Sequence, residues 1–118
     1  MSARRLSLAL FWLCAGAMHF IAPRSYDAIM PRPLKPWARQ ITYASGVAEI
    51  AGGVAVLHPR GRRFARWWLL ATLAAVYPAN IQMALDAERY ARFPAWALWA
   101  RLPLQFVAAW HVWRGTEA

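Results

Sequence analysis

Residues 37–57 read WARQITYASGVAEIAGGVAVL, an almost continuous apolar stretch that holds one carboxylate, Glu49, near its middle. As an α-helix, about 20 residues extend for about 30 Å, which is the thickness of the hydrocarbon core of a bilayer. An acid at that depth is costly unless it faces the interior of a helix bundle and meets a polar partner. The stretch therefore predicts a transmembrane helix with neighbouring helices that shelter Glu49.

Three further apolar segments accompany this stretch, and breaks rich in Pro, Gly and charged residues separate them. The sequence predicts an all-α fold with one domain, residues 1–118, which is an antiparallel four-helix bundle integral to a membrane. A short interfacial segment is expected after the first helix, where Pro31, Pro33 and Pro36 forbid a continuous helix. The four spans are expected at about 5–23, 37–57, 64–85 and 95–113.

The first segment has a second interpretation. Arg4 and Arg5 precede an apolar run with small residues at positions 15–17, as in a signal peptide with its cleavage site. The apolar run continues through Phe20 and Ile21, which favours a transmembrane helix that is retained.

Composition and charge agree with a membrane protein. Hydrophobic residues make up 60% of the chain, above the about 45–50% of soluble domains. The net charge of +9 would suit nucleic acid, but the arginines lie between apolar blocks, as membrane-flanking charges do. We therefore expect a lipid bilayer and no nucleic acid as partner. The single cysteine, Cys14, cannot form an intrachain disulfide or a CxxC motif.

Small residues recur at every fourth position of the second and third segments, a pattern that allows helices to approach closely. We expect these two rows to face each other: Ala44, Ala48 and Gly52 on one helix, and Ala71, Ala75 and Ala79 on the other.

Each of the four segments carries at least one polar residue, and the set comprises His19, Glu49, Asn80, Arg101 and Gln105. Because an unpaired Arg or Glu within a bilayer is costly, we expect Glu49 and Arg101 to form an ion pair. Gln105 and Asn80 would assist it, while His19 is expected to be a hydrogen-bonded structural residue. No metal site is expected, because the other histidines, His58 and His111, fall on the opposite side of the membrane.

This polar set has three interpretations. It locks the helices in register, it forms a ligand or substrate site, or it forms a proton or ion path. A path is the least favoured, because one acid with few polar neighbours is little for a conduit.

Orientation depends on the basic residues. The compact turn HPRGRRFAR, residues 58–66, favours a location of both termini in the cytoplasm.

Four motifs occur in order along nearly the whole chain: HFIAP followed by Tyr26 and Met30-Pro31, then SGVAEIAGG, YPANIQMA and RLPLQ. Together with four spans at this length, they resemble the DoxX-like family of small bacterial integral membrane proteins. The resemblance implies the bacterial inner membrane and a connection with redox complexes that use quinone, or with the assembly of such complexes. It carries over His19, Glu49, Asn80, Arg101 and Gln105 as motif positions and assigns catalysis to none.

Two functional hypotheses follow. In the leading one, a DoxX-like protein has a polar intramembrane pocket that binds a quinone or another lipophilic molecule for a membrane redox system. In the alternative, the chain is a non-enzymatic scaffold or assembly subunit, and its polar core is purely structural. Redox-complex subunits or further copies of the chain are the expected protein partners. Whether the protein is an enzyme is left open.

Overall fold

A computed structural model describes residues 2–86, 88 and 94–117. Helices account for the ordered structure of this part of the chain, which confirms the prediction of an all-α protein. The helices are α1 (Ala3–Ile21), α2 (Pro23–Ala28), α3 (Ala38–Leu57), α4 (Arg62–Leu85) and α5 (Ala95–Gly115). Short 3-10 helices at Arg32–Trp37 and Pro59–Gly61 lead into α3 and α4.

The two connections around α3 follow from their prolines and one glycine. Pro23 opens α2, and Pro36 lies within the first 3-10 helix, where a regular α-helix would lose a backbone donor. In the turn after α3, a Cβ atom at Gly61 would lie 2.5 Å from the carbonyl oxygen of Ala55. Only glycine lets the chain reverse so close to the helix that it leaves.

The four long helices contact one another in a closed cycle. Helix α1 packs against α3 and α5, and α4 packs against the same two helices. The pairing of α1 with α3 is the most extensive, and α2 covers one end of it. Consequently α5 lies mainly against α4 and α1, with α3 on the far side of the cycle.

Helices α1 and α3 run antiparallel and approach closely at glycines. A Cβ atom at Gly46 would lie 2.8 Å from the Cβ of His19, and one at Gly16 would lie 2.8 Å from the Gly46 carbonyl oxygen. Nearer the N-terminus of α1, Gly53 faces Leu13. Residue numbers increase along α1 in the direction in which they decrease along α3. This close antiparallel contact positions the polar site described below.

The expectation that the two rows of small residues face each other is wrong. Ala44, Ala71 and Ala75 are exposed. Of the predicted residues, Gly52 does face α4, where a Cβ atom would meet the side chain of Leu69. Helix α4 instead buries a different row at the same four-residue spacing, and Gly52 of α3 provides space for one member of it, Leu69. The buried row is Ala65, Leu69 and Leu73.

The apolar core has two parts. The larger cluster joins all four long helices and comprises Leu8, Ala9, Trp12, Val56, Ala65, Leu69, Leu73 and Val112. The smaller cluster, Met83, Ala84 and Leu98, joins α4 to α5 near their other end. Polar residues of α4 and α5 occupy the interval between these clusters.

Two segments of the described chain are long and apolar enough to cross a membrane, by length and composition: Arg32–Leu57 and Pro59–Leu85. They contain the second and third predicted spans. Helices α1 and α5 do not meet the same criterion. The structure thus supports two of the four predicted spans on this measure.

Candidate functional site

A largely buried polar contact joins His19 of α1 to Glu49 of α3. The imidazole Nε2 contacts a carboxylate oxygen of Glu49, and the two side chains are 11% and 13% exposed. The other ring nitrogen, Nδ1, lies 2.9 Å from the backbone carbonyl oxygen of Thr42. A buried imidazole with a partner on both nitrogens is fixed in position and in ring orientation.

The partners of His19 restrict where its protons lie. A carbonyl oxygen can only accept, so Nδ1 carries a proton and donates it to Thr42. The contact between Nε2 and Glu49 then needs one further proton, held by the imidazole or by the carboxyl group. In both cases the pair is neutral overall, which lowers its cost in an apolar environment.

Helix α2 covers the pair of His19 and Glu49. The Tyr26 ring stacks on the His19 ring with centroids 3.9 Å apart and planes 18° apart. Asp27 accepts a 2.7 Å hydrogen bond from the Thr42 hydroxyl and a 2.8 Å bond from Nε of Arg39. The Thr42 hydroxyl, followed by Arg39, holds the pKa of the Asp27 carboxyl below its usual range. The result is a continuous polar cluster, here called the His19 cluster: His19, Tyr26, Asp27, Arg39, Thr42 and Glu49.

A second polar contact joins α4 to α5. Gln105 donates a 2.7 Å hydrogen bond to the backbone carbonyl of Leu73 and accepts one of 3.2 Å from the Asn80 amide. Pro78 lies inside α4 and has no backbone N–H, so the carbonyl of Ala74 loses its usual helical donor. The carbonyl that Gln105 reaches is that of Leu73, one residue before Ala74.

The expected ion pair between Glu49 and Arg101 is wrong. Among the described residues no carboxylate lies within 4.0 Å of the Arg101 guanidinium, whose Nη1 lies 3.9 Å from the Met83 sulfur. Helix α5 lies across the cycle from α3, so Arg101 reaches the side of α4 instead. Thioether sulfur is a weak acceptor, so the described residues use little of the hydrogen-bonding capacity of Arg101.

The structure thus divides the five predicted site residues into two groups. His19 and Glu49 belong to one cluster, Asn80 and Gln105 to the other, and Arg101 lies at the edge of both. Tyr26 and Arg101 are close enough to interact electrostatically.

The sequence analysis missed the partner of Glu49. A rise of 1.5 Å per residue along the predicted spans puts the backbone of His19 about 10 Å nearer the membrane surface than that of Glu49. Side chains on a helix lean towards its N-terminus. In an antiparallel pair these directions are opposite, so His19 leans deeper and Glu49 leans outward. These opposite directions predict a contact between His19 and Glu49 as soon as α1 and α3 are assumed to be neighbours.

No group of three or more His, Cys, Asp and Glu side chains among the described residues could hold a metal ion. Two open depressions lie elsewhere: one on the outer face of α1 beside Phe11 and Cys14, and one among arginines at the start of α4. The polar clusters are contacts between helices and do not line either depression.

Residues 8–116 match the model of a protein family described as a domain of unknown function, DUF8561. The match covers nearly the whole chain, and the protein belongs to this family. Comparisons with curated proteins and with solved structures found no match.

Proposed function

We propose that this member of the DUF8561 family is a four-span integral membrane protein that acts as a non-enzymatic scaffold or assembly subunit. The observation that carries the proposal is the combination of an apolar exterior with internally satisfied polar groups. The outside of the helices offers apolar surface to lipid and to other membrane proteins. The polar residues inside are used to hold the helices together.

The apolar exterior supports the membrane location. Large apolar side chains lie exposed on every long helix, among them Ile21 at 72%, Leu85 at 71% and Trp96 at 74%. Only 28% of each of the two candidate spans is buried within the chain, whereas the core helix of a soluble protein is mostly buried. Apolar surface this extensive requires a lipid or protein cover.

Charge asymmetry supports the orientation with both termini in the cytoplasm. Arg5 reaches the Glu117 carbonyl, and Arg66 reaches Thr116, so both termini and the start of α4 share one end of the molecule. Among the described residues, that end carries most of the arginines without a carboxylate partner. At the other end Asp27 pairs with Arg39. Positive charge is retained on the cytoplasmic side, and the DoxX-like resemblance adds the bacterial inner membrane.

The polar contacts support a structural role. His19, Glu49, Asn80 and Gln105 each have a partner within the chain, and these contacts join α1 to α3 and α4 to α5. Polar side chains that satisfy one another between apolar helices fix their register. No substrate is needed to explain them.

The proposal is tested by native mass spectrometry of the protein extracted in native nanodiscs from its own membrane. We expect a complex of fixed stoichiometry, with a second copy or with a membrane protein, and no small molecule retained on the chain. A small molecule of quinone mass retained on the chain would overturn the scaffold role.

The second candidate function, binding of a lipophilic carbonyl compound such as a quinone, is favoured by Arg101. Its guanidinium has no carboxylate partner within the described chain and lies near Tyr26 and the His19 cluster. An arginine donates to a carbonyl oxygen, and the pair of His19 and Glu49 can exchange a proton with a bound group. In this case Arg101→Gln abolishes the retained adduct while Arg24→Gln, at an exposed position of α2, leaves it unchanged.

A further inference from the structure

The second depression lies at the end of the molecule where both termini meet the turn between α3 and α4. It has a volume of about 450 Å³ and is lined by four arginines, Trp67 and Thr116; the arginines are Arg60, Arg62, Arg63 and Arg66. We propose that this depression, here called the basic pocket, binds a phosphate group, supplied by the headgroup of an anionic phospholipid. The inference goes beyond the scaffold role and uses none of the residues of the His19 cluster.

The charge of the basic pocket is not compensated. Within the described chain, no Asp or Glu lies within ion-pair distance of its four arginines. The acid at this end, Glu117, lies 3.9 Å from Arg114. Four guanidinium groups around one depression repel one another unless an anion joins them. A phosphate provides both the charge and several acceptor oxygens.

One donor of the basic pocket is already buried without an acceptor. The Nε atom of Arg62 is inaccessible to solvent and has no hydrogen-bond partner within the described residues. A buried polar hydrogen that no group accepts is costly. An anion beside the Arg62 guanidinium would compensate for that cost by binding its remaining N–H groups.

The wall of the basic pocket is rigid. The Arg66 guanidinium lies 3.8 Å from the centre of the Trp113 ring, and its Nε donates a 2.9 Å hydrogen bond to the Thr116 hydroxyl. That hydroxyl in turn donates to the Val112 carbonyl at 2.7 Å. The opposite rim is fixed by the backbone of Arg60, which donates to Nδ1 of His58 at 3.1 Å. A preorganised wall loses little conformational entropy when a ligand binds.

The neighbours of the basic pocket favour a phospholipid over a soluble phosphate compound. Trp67 is 57% exposed, and its ring meets Trp113 edge to face at 6.1 Å. Exposed Phe64 lies one helical turn before Trp68, with rings stacked at 5.4 Å. Aromatic side chains beside arginines are typical of the membrane interface, where basic pockets hold anionic headgroups. This choice of source depends on the proposed membrane location, but the phosphate chemistry does not.

The test uses the full chain, delipidated in detergent and titrated by native mass spectrometry with phosphatidylglycerol or with phosphatidylcholine of the same acyl chains. The variant Arg60→Gln/Arg63→Gln changes two exposed arginines of the pocket. The control Arg24→Gln/Arg32→Gln removes the same charge from exposed positions at the opposite end. At about 1 kcal/mol per arginine, we expect the pocket variant to lose phosphatidylglycerol affinity by about thirtyfold. The control should bind like the wild type.

Three results would overturn the proposal: equal affinity of the wild type for the two lipids, an equal loss in the control variant, or no loss in the pocket variant. Circular dichroism verifies that the variants keep their helices. If the pocket variant unfolds, Arg62→Lys replaces it, because this change keeps the charge and removes the forked donor; affinity should still fall.

A competition experiment separates the two sources of phosphate. Inorganic phosphate is added to the wild type and the pocket variant in detergent. If it displaces phosphatidylglycerol from the wild type at millimolar concentration, the basic pocket binds soluble phosphate as well as lipid. If phosphatidylglycerol remains bound, the lipid headgroup is the ligand. Both results depend on detergent-solubilised protein alone, so they stand even if the scaffold role fails.

Discussion

His19 and Glu49 satisfy each other without a net charge, and this is the strongest constraint on the polar interior. Since the contact needs one proton, it persists whether the imidazole or the carboxyl group holds that proton. Thr42 fixes the ring from the other side at 2.9 Å. A change of either side chain, His19 or Glu49, therefore affects the other, whereas the contact from Thr42 comes from its backbone carbonyl.

A double-mutant cycle tests the pairing of His19 with Glu49. Glu49→Gln alone should lower the free energy of unfolding in detergent by about 1–3 kcal/mol, because a charge-assisted hydrogen bond is lost in a buried position. Combined with His19→Gln, the two changes should couple by about 0.5–3 kcal/mol. The measurement is reversible unfolding by SDS in mixed micelles.

The control for this cycle is the pairing that the structure rejects. Glu49→Gln combined with Arg101→Gln should be additive, because the structure shows no ion pair between these residues. Coupling in the Arg101 cycle, with additivity in the His19 cycle, would contradict the structure and restore the pairing first expected from the sequence.

Asp27 makes stability depend on pH. Its carboxyl has a pKa below the ordinary value of 3.8, first because of the Thr42 hydroxyl and then because of Arg39. A carboxyl whose pKa is lower in the folded state stabilises the fold above its unfolded pKa, and this contribution is lost as the pH falls through the folded pKa. When the pH is lowered below about 4, the melting temperature of the wild type in detergent should therefore decrease.

Two variants isolate this contribution. Thr42→Val removes the leading cause of the shift, so the loss of stability in acid should be shallower than in the wild type. Asp27→Asn removes the titrating group, so its loss of stability in acid should be smaller still. Wild-type acid sensitivity in Asp27→Asn would mean that another carboxyl, rather than Asp27, causes the pH dependence.

At the scale of the element, the pair α1 and α3 depends on glycine. Ala has the higher helix propensity, by about 1 kcal/mol, so Gly46→Ala would stabilise an isolated helix. In the folded chain the added Cβ would lie 2.8 Å from the Cβ of His19 and 2.7 Å from the Phe20 ring. We expect a net loss of about 1–2 kcal/mol in the free energy of unfolding, since overpacking exceeds the gain in propensity.

The matched control is Ala44→Val, which adds volume to an exposed position of the same helix and should change stability little. If Gly46→Ala is as stable as the wild type, the two helices can separate without loss, and the close contact does not determine their pairing.

The helices themselves could be predicted, because each apolar segment is long and ends at Pro, Gly or charged residues. Their neighbours could not. The rows of small residues on α3 and α4 suggested one close contact, but only Gly52 of α3 faces α4, at Leu69, whereas Gly46 and Gly53 face α1. Small residues indicate that some helix approaches, and nothing in one sequence says which. The predicted ion pair between Arg101 and Glu49 failed for the same reason. Each residue needs a polar partner, but the order of the helices around the cycle determines which partner it can reach.

At the scale of the whole molecule, one end is basic and the surface between the ends is apolar. We expect the protein to remain in the membrane fraction after extraction with alkaline carbonate. Green fluorescent protein fused to either terminus should fluoresce, because it folds in the cytoplasm and both termini are proposed to lie there. A dark fusion at one terminus, with normal amounts of protein, would contradict an even number of spans.

The contact between His19 and Glu49 also has a consequence for biogenesis. α1 leaves the ribosome first and can enter the translocon with a neutral imidazole, whereas Glu49 arrives later with no partner of its own on α3. An ionised acid partitions poorly into lipid. For the proposed four-span protein, we therefore expect α1 to wait beside the lateral gate until α3 emerges, so that both insert as one hairpin.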